Sequence, residues 1–201
     1  KRNLTGIDFL YRPLITLQTN LVSTFLVIPV REVGPSKFHS GYQTLTNAQD
    51  SQEILEVDQL TLDHAVAELR RLMSAGGRSL FIVPVHFETL TNPRRRREFN
   101  RLCAERLRGI EKRVVFEIVG SPSKIPQTRL LELVAALAPS SRAVIARFPS
   151  DATEFHEYRS AGLHGVGMDI YHSPKRERTL MTDMDRFAES ARKNRLKSYV
   201  L

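Results

Sequence analysis

The chain has 201 residues, 41% apolar and 26% charged, with one cysteine and a formal net charge of +8. That supports one substantial core and a single domain, 1–201. It excludes an internal disulfide framework or multi-cysteine metal site, and no apolar run reaches the ~20 residues of a membrane span. No N-terminal signal pattern is present, so a cytoplasmic chain is expected. The excess of cations points to an anionic partner such as nucleic acid, nucleotide or membrane surface, although the basic residues are scattered along the sequence.

Residues 8–17 (DFLYRPLITL) and 21–31 (LVSTFLVIPVR) read as strands separated by a turn at 18–20, and strands joined so closely should be antiparallel neighbours. Residues 32–52 are polar and read as a mobile surface loop. Leu62, Val66, Leu69 and Met73 form a helical stripe that stops at Gly76-Gly77. A strand is expected at 79–85. Asn92 and Pro93 should cap and start a helix over 93–109, opening with the run RRRR at 94–97. That run is a solvated basic face or, alternatively, an anion or partner contact. Cys103, among Phe99, Leu102 and Leu107, reads as a buried structural thiol.

A strand at 113–119, a helix after Pro126, a strand at 143–148, a short helix near 151–161 and a strand at 164–170 follow. A helix near 177–194 and a final strand at 196–201 complete seven strands and five helices. The later strands are apolar on both alternations, as strands covered by helices must be. Strand–helix units in this number specify a closed barrel or an open doubly wound sheet. No Gly-rich first strand-to-helix turn of the doubly wound kind is present, so a (β/α)₈ barrel is favoured, with an eighth unit expected beyond Leu201.

Barrel chemistry belongs at the carboxyl ends of the strands. Those ends carry Arg31, then His86 with Glu88, then Glu117, then Ala146 with Arg147, then Asp169. A divalent cation wants about six oxygen ligands, and this set is thin. A lone HxE is a weak metal signal. Glu117, between Phe116 and Ile118, is a site carboxylate or the partner of an interior cation, because a buried unpaired charge is costly. Asp169 is a site residue or a local strand-end acceptor. His156 and His164 read as surface or turn histidines, and no Ser, Thr or Cys stands in a nucleophile motif.

Taken together, YRPLITLQTNLV (11–22), LDHAVAELRRL (62–72), FIVPVHFETLTNP (81–93), VVFEIVGS (114–121), AVIARF (143–148) and GVGMDI (165–170) resemble, in this order, the sequence blocks of EAL domains. These are bacterial cyclic-di-GMP phosphodiesterase barrels whose first strand is antiparallel. The resemblance implies an EAL-type modified (β/α)₈ barrel. It also implies that the metal and catalytic positions of the family are replaced here by Leu26, Pro84, Ala146, Arg147 and Gly167, with Gly120 in place of a second glutamate. Glu117 and Asp169 are retained. The family's nucleotide-contacting positions become Arg12 and, with a one-residue shift, Arg31.

The reading that follows is a degenerate EAL domain with no catalytic residue, no metal and no cofactor. It would act as a regulatory or protein-interaction module in bacterial cyclic-di-GMP-type signalling. Its expected partners are a protein or flanking signalling domains, and a homodimer is left open. One alternative is a receptor that binds cyclic-di-GMP without hydrolysis through Arg12, Arg31, Glu117, Arg147 and Asp169. Another is a weak metal-dependent phosphodiesterase or barrel hydrolase using His86, Glu88, Glu117 and Asp169. Nucleic acid is a minor option, since the basic run has no interleaved aromatics. An arginine at a strand mouth needs an anion, so Arg147 is expected to pair with Glu117 or Asp169, which favours the scaffold over the receptor.

Overall fold

The computed structural model describes residues 4, 6–17, 19–47, 50–122, 124–150, 152, 154–170 and 175–201. β1 (Ile7–Thr16) and β2 (Leu21–Gly34) form the expected antiparallel hairpin, paired from Ile7↔Arg31 to Thr16↔Leu21 with a register shift between Leu14 and Ile15. The turn places Asn20 at φ 52°, a left-handed conformation that asparagine tolerates better than most residues. β3 (Lys37–Ser40) pairs with the far end of β2. β4 (Leu80–His86), β5 (Val114–Val119), β6 (Ala143–Phe148), β7 (Gly165–Met168) and β8 (Lys197–Val200) then add in parallel. The sheet order is β1-β2-β4-β5-β6-β7-β8, with β3 beside β2 off this path.

Five helices accompany the sheet: α1 (Ser51–Ser74), α2 (Phe87–Thr91), α3 (Pro93–Arg106), α4 (Gln127–Leu137) and α5 (Glu177–Lys193). The starts of the two long N-terminal ones are written in sequence. The Asp50 carboxylate accepts the N–H groups of Gln52 and Glu53, and the Asn92 side-chain oxygen accepts those of Arg94 and Arg95. Each cap satisfies donors that no helical carbonyl can reach and contributes about 1 kcal/mol. α1 ends at Gly76, whose φ of 81° suits a residue without Cβ.

Strand alternation sorts the core into two layers. Val27, Phe81, Val83, Phe116, Ile118, Val144 and Val166 pack outward against Leu55, Leu62 and Leu69 of α1, Phe99 and Cys103 of α3, Leu130 and Leu133 of α4, and Phe187 of α5. Leu26, Ile82, Val115 and Ile145 point the other way into a smaller inner cluster, joined by Leu14, Tyr199 and Leu201. The sheet therefore curls around an inner core while helices cover its outside. This is a barrel-type α/β fold, and it explains why these strands are apolar on both alternations.

Three local expectations are corrected. Residues 151–161 form no helix: 156–162 are successive turns, while Asp151 and Thr153 lie outside the described residues. Tyr158 stacks on Phe148, Phe155 packs tilted against both, and Phe155 also meets Phe187 edge-on. Burying these rings on one face fixes the turns in place of helical periodicity. Residues 32–52 are not one irregular loop, since they hold the end of β2, β3, a 3-10 turn at Gly41–Thr44 and the start of α1. Glu53 on α1 accepts the Thr46 N–H, the Thr46 hydroxyl and the Asn47 N–H, which ties the segment down. The short helix α2 escaped the sequence reading because its N-cap is unusual: His86 Nδ1 accepts the Glu88 N–H.

Candidate functional site

Register brings the site together at the carboxyl ends of the parallel strands. Glu117 on β5 lies opposite Ile145 on β6, Arg147 opposite Gly167 on β7, and Gly167 opposite Tyr199 on β8. Arg147 then spans two strands in a fork. Its Nε donates to Glu117 Oε1 at 2.9 Å and its Nη2 to Glu117 Oε2 at 2.5 Å. Nη1 reaches Asp169 Oδ2, just past β7, at 3.4 Å. The Tyr199 hydroxyl donates to the same Glu117 carboxylate. Glu117 is 0% exposed, whereas the Arg147 side chain keeps 24% of its surface open.

The electrostatics follow from this geometry. Burial opposes the charge on Arg147, but the Glu117 carboxylate outweighs it and holds the guanidinium proton more tightly than usual. Burial, reinforced by the charge of Glu117, pushes the Tyr199 phenol well up. Gly167 makes room for this arrangement, because a Cβ there would stand 2.2 Å from Tyr199 Cζ.

Above the ion pair lies a cavity of about 430 Å³, lined by Arg12, Ile28, Pro29, Tyr42, Gln43, Pro84, Val119, Arg147, Asp169 and Leu201. One wall leads to a second buried carboxylate. Asp58 on α1 is 0% exposed, accepts the Tyr42 hydroxyl and accepts the His86 N–H at 3.2 Å. The Tyr42 and His86 rings lie 4.6 Å apart between centroids. No cation pairs with Asp58 among the described residues, and burial pushes its carboxyl up to about 7. Burial also raises the Tyr42 phenol and lowers the pKa of His86, which favours the neutral ring. The His86 ring rests against Gly120, where a Cβ would stand 2.2 Å from Nε2.

Of the residues expected at the mouth, Arg12, Arg147 and Asp169 line the cavity, with Glu117 directly beneath Arg147. Arg31 does not line it. Its charge acts instead on Glu53 of α1. Its Nε and Nη2 are buried without a hydrogen-bond partner among the described residues. His86 and Glu88 do not converge on a common point, because Glu88 turns to accept the Ser51 hydroxyl. No three His, Cys, Asp or Glu side chains gather where they could hold a metal ion among the described residues.

The RRRR run is divided in its duties. Arg95 donates to the Glu88 carbonyl, and Arg96 donates to the Leu90 carbonyl and pairs with Glu132. Cys103 is buried, and burial pushes its thiol up, as befits an inert core thiol.

Sequence reasoning missed Asp58, Tyr42 and Tyr199. Asp58 had a readable signal: it falls within the buried stripe Leu55–Leu62–Val66–Leu69 of α1, where a carboxylate is out of place. Tyr199 had none, since its role depends on the register of β8 against β7.

No family profile matches the chain, and no curated protein matches it. Solved structures do. The S helix-GGDEF-EAL structure of Vibrio cholerae LapD bound to c-di-GMP superposes with a TM-score of 0.72 at 12% identity, over 97% of this chain and 47% of that one. The Bacillus subtilis YkuI protein, with an EAL domain in complex with c-di-GMP and calcium, gives 0.69 at 15% identity over 98% of this chain and 48% of that one. The Xanthomonas citri FimX EAL domain in complex with c-di-GMP gives 0.65 at 12% identity over 97% and 77%. The chain thus spans about half the length of the LapD and YkuI chains, and at these identities the likeness is one of fold. With its antiparallel first strand and curled, mostly parallel sheet, the chain has the barrel-like α/β fold of EAL domains.

Proposed function

We propose that this chain is a non-hydrolytic EAL-fold module of cyclic-di-GMP-type signalling, acting through contacts with a protein partner or flanking signalling domain. One observation carries the reading. The Arg147 guanidinium stands between Glu117 and Asp169, the two carboxylates retained at the mouth, and binds both. Two-metal hydrolysis needs several carboxylates to hold both ions and to clamp attacking and leaving oxygens. Here the donor set does not fit such a pair: a fixed cation occupies the space between the carboxylates, Pro84 in the cavity wall offers no side-chain ligand, and the strand neighbour Ala146 is buried in the helix-side core. The protein incubated with cyclic-di-GMP and Mg²⁺ or Mn²⁺ should therefore release no linear dinucleotide on chromatography. Metal-dependent turnover that disappears in Glu117→Gln would overturn the reading.

A receptor reading has its own support in the cavity. Arg12, Tyr42, Gln43 and Arg147 line it, and the Arg147 side chain keeps 24% of its surface open. Arginine can pair a phosphate bidentately. Isothermal titration with cyclic-di-GMP separates the two. No heat of binding supports the scaffold, whereas micromolar binding lost in both Arg12→Ala and Arg147→Ala supports the receptor.

A further inference from the structure

The end of the sheet opposite the mouth gathers what the sequence scatters. Because β2 and β4 to β8 are parallel, every connection leading from a helix into a strand lies at that end. Those connections carry Arg78 before β4, Arg108, Lys112 and Arg113 before β5, Arg142 before β6, and Arg195 and Lys197 at β8, with Arg192 and Lys193 in the last turn of α5. Nine cations stand there; Glu111 is the carboxylate within the connections, and Glu189, one turn back on α5, pairs with Lys193 at 2.8 Å. All but Arg113 are exposed. The loops at the mouth are more evenly balanced, with five cations (Lys37, Lys124, Arg159, Lys175, Arg176) and five carboxylates (Asp50, Glu88, Glu154, Glu157, Asp169) among their described residues, and in the first turn of α3 at that end Arg95 and Arg96 are engaged by the Glu88 and Leu90 carbonyls.

The β1–β2 turn lies at this same basic end, since β1 runs antiparallel to β2. β2 first pairs with β4 at Thr24↔Leu80, so Leu21, Val22 and Ser23 precede that pairing. At about 3.3 Å per residue the hairpin tip projects about 10 Å beyond the start of β4. The tip is aliphatic and uncovered: Leu17 is 92% exposed, Leu21 64%, Ile15 56% and Val22 46%, with Ile15 and Val22 directly opposite each other. Exposed apolar side chains clustered on one tip mark an interaction surface.

We propose that this basic end docks on an anionic lipid surface, with the hairpin tip in the acyl boundary and the cations on the headgroups. Aliphatic anchors beside Lys and Arg are the chemistry by which peripheral elements hold such a surface. A nucleic acid would call for stacking rings, and the basic connections contain no aromatic residue. A projecting wedge also suits a deformable bilayer better than a folded acidic protein, which would need a matching pocket.

Vesicle co-sedimentation tests this with the intact chain. Phosphatidylcholine vesicles containing phosphatidylglycerol should pellet the protein, phosphatidylcholine alone should not, and added salt should weaken binding. Leu17→Ser with Leu21→Ser should lower partitioning at least tenfold, and Arg78→Gln or Arg142→Gln about fivefold each. The chain contains no tryptophan, so Leu17→Trp supplies a single fluorophore whose emission should shift to the blue only with anionic vesicles. Absence of that shift, absence of pelleting, or binding undiminished by the leucine pair would overturn the proposal. Equal capture by duplex DNA or polyglutamate would replace it with a generic polyanion site.

Discussion

Glu117 and Asp58 are both fully buried carboxylates, and each accepts a tyrosine hydroxyl at one flank of the same cavity. Glu117 sits on a central strand with an arginine forked onto both its oxygens. Asp58 sits on a helix and is served by neutral donors, a phenol and a backbone N–H. The difference teaches how a buried acid is tolerated. Where register delivers a guanidinium, the charge is matched. Where only neutral dipoles are at hand, desolvation wins and the carboxyl keeps its proton to about pH 7.

The comparison breaks most violently at the matched pair. Arg147→Ala leaves Glu117 buried without its cation and should cost about 5 kcal/mol in urea unfolding. Pairing it with Glu117→Leu should recover most of that loss. A double variant as unstable as Arg147→Ala would show that the cost is packing rather than charge.

Asp58 carries the next effect, and it depends on pH. Its folded pKa of about 7 lies above the unfolded value of about 3.9, so the native state binds the proton more tightly. The stability this confers is complete below about pH 4 and is lost as the pH rises through about 7, a span of about 4 kcal/mol. Asp58→Asn should flatten that part of the pH profile of unfolding. An unchanged slope would remove Asp58 as its source.

Sterics come third. A Cβ at Gly167 would strike Tyr199, and one at Gly120 would strike His86. Gly167→Ala should cost about 2 kcal/mol by overpacking and should loosen the Tyr199 contact to Glu117. Gly120→Ala should cost more than Gly167→Ala, since Gly120 also holds φ 70°.

The tyrosines sharpen the contrast with the smallest changes. Tyr42→Phe should cost about 2 kcal/mol above pH 7, where Asp58 is ionised and loses a donor, and less below pH 6. Tyr199→Phe should cost about 1 kcal/mol with little pH dependence, because Arg147 continues to bind Glu117. Equal pH dependence in the two variants would refute the distinction.

Much of the frame was legible in the sequence. The hairpin, most of the alternating strands and helices, and the Asn92-Pro93 helix start are local patterns, and the structure places them where the periodicity does. The need of Glu117 for an interior cation was legible too, since an acid inside Val114–Val119 has few other outcomes. Other features were not. Phe155 and Tyr158 override local helix preference only because Phe148 and Phe187 come from distant segments. Arg31 was expected at the mouth but does not line the cavity, and its charge acts instead on Glu53 of α1, a contact set by the packing of that helix on the sheet.

By itself the sequence determined the hairpin, the main strand–helix alternation and the burial of Glu117, because periodicity and desolvation act over a few residues. Tertiary structure alone decided which groups meet. Strand register put Arg147, Asp169 and Tyr199 around one carboxylate, while the packing of α1 set Asp58 among neutral donors, with no cation paired to it among the described residues. The shared direction of the strands, which sends every strand-leading connection to one end, gathered the basic residues of those connections there.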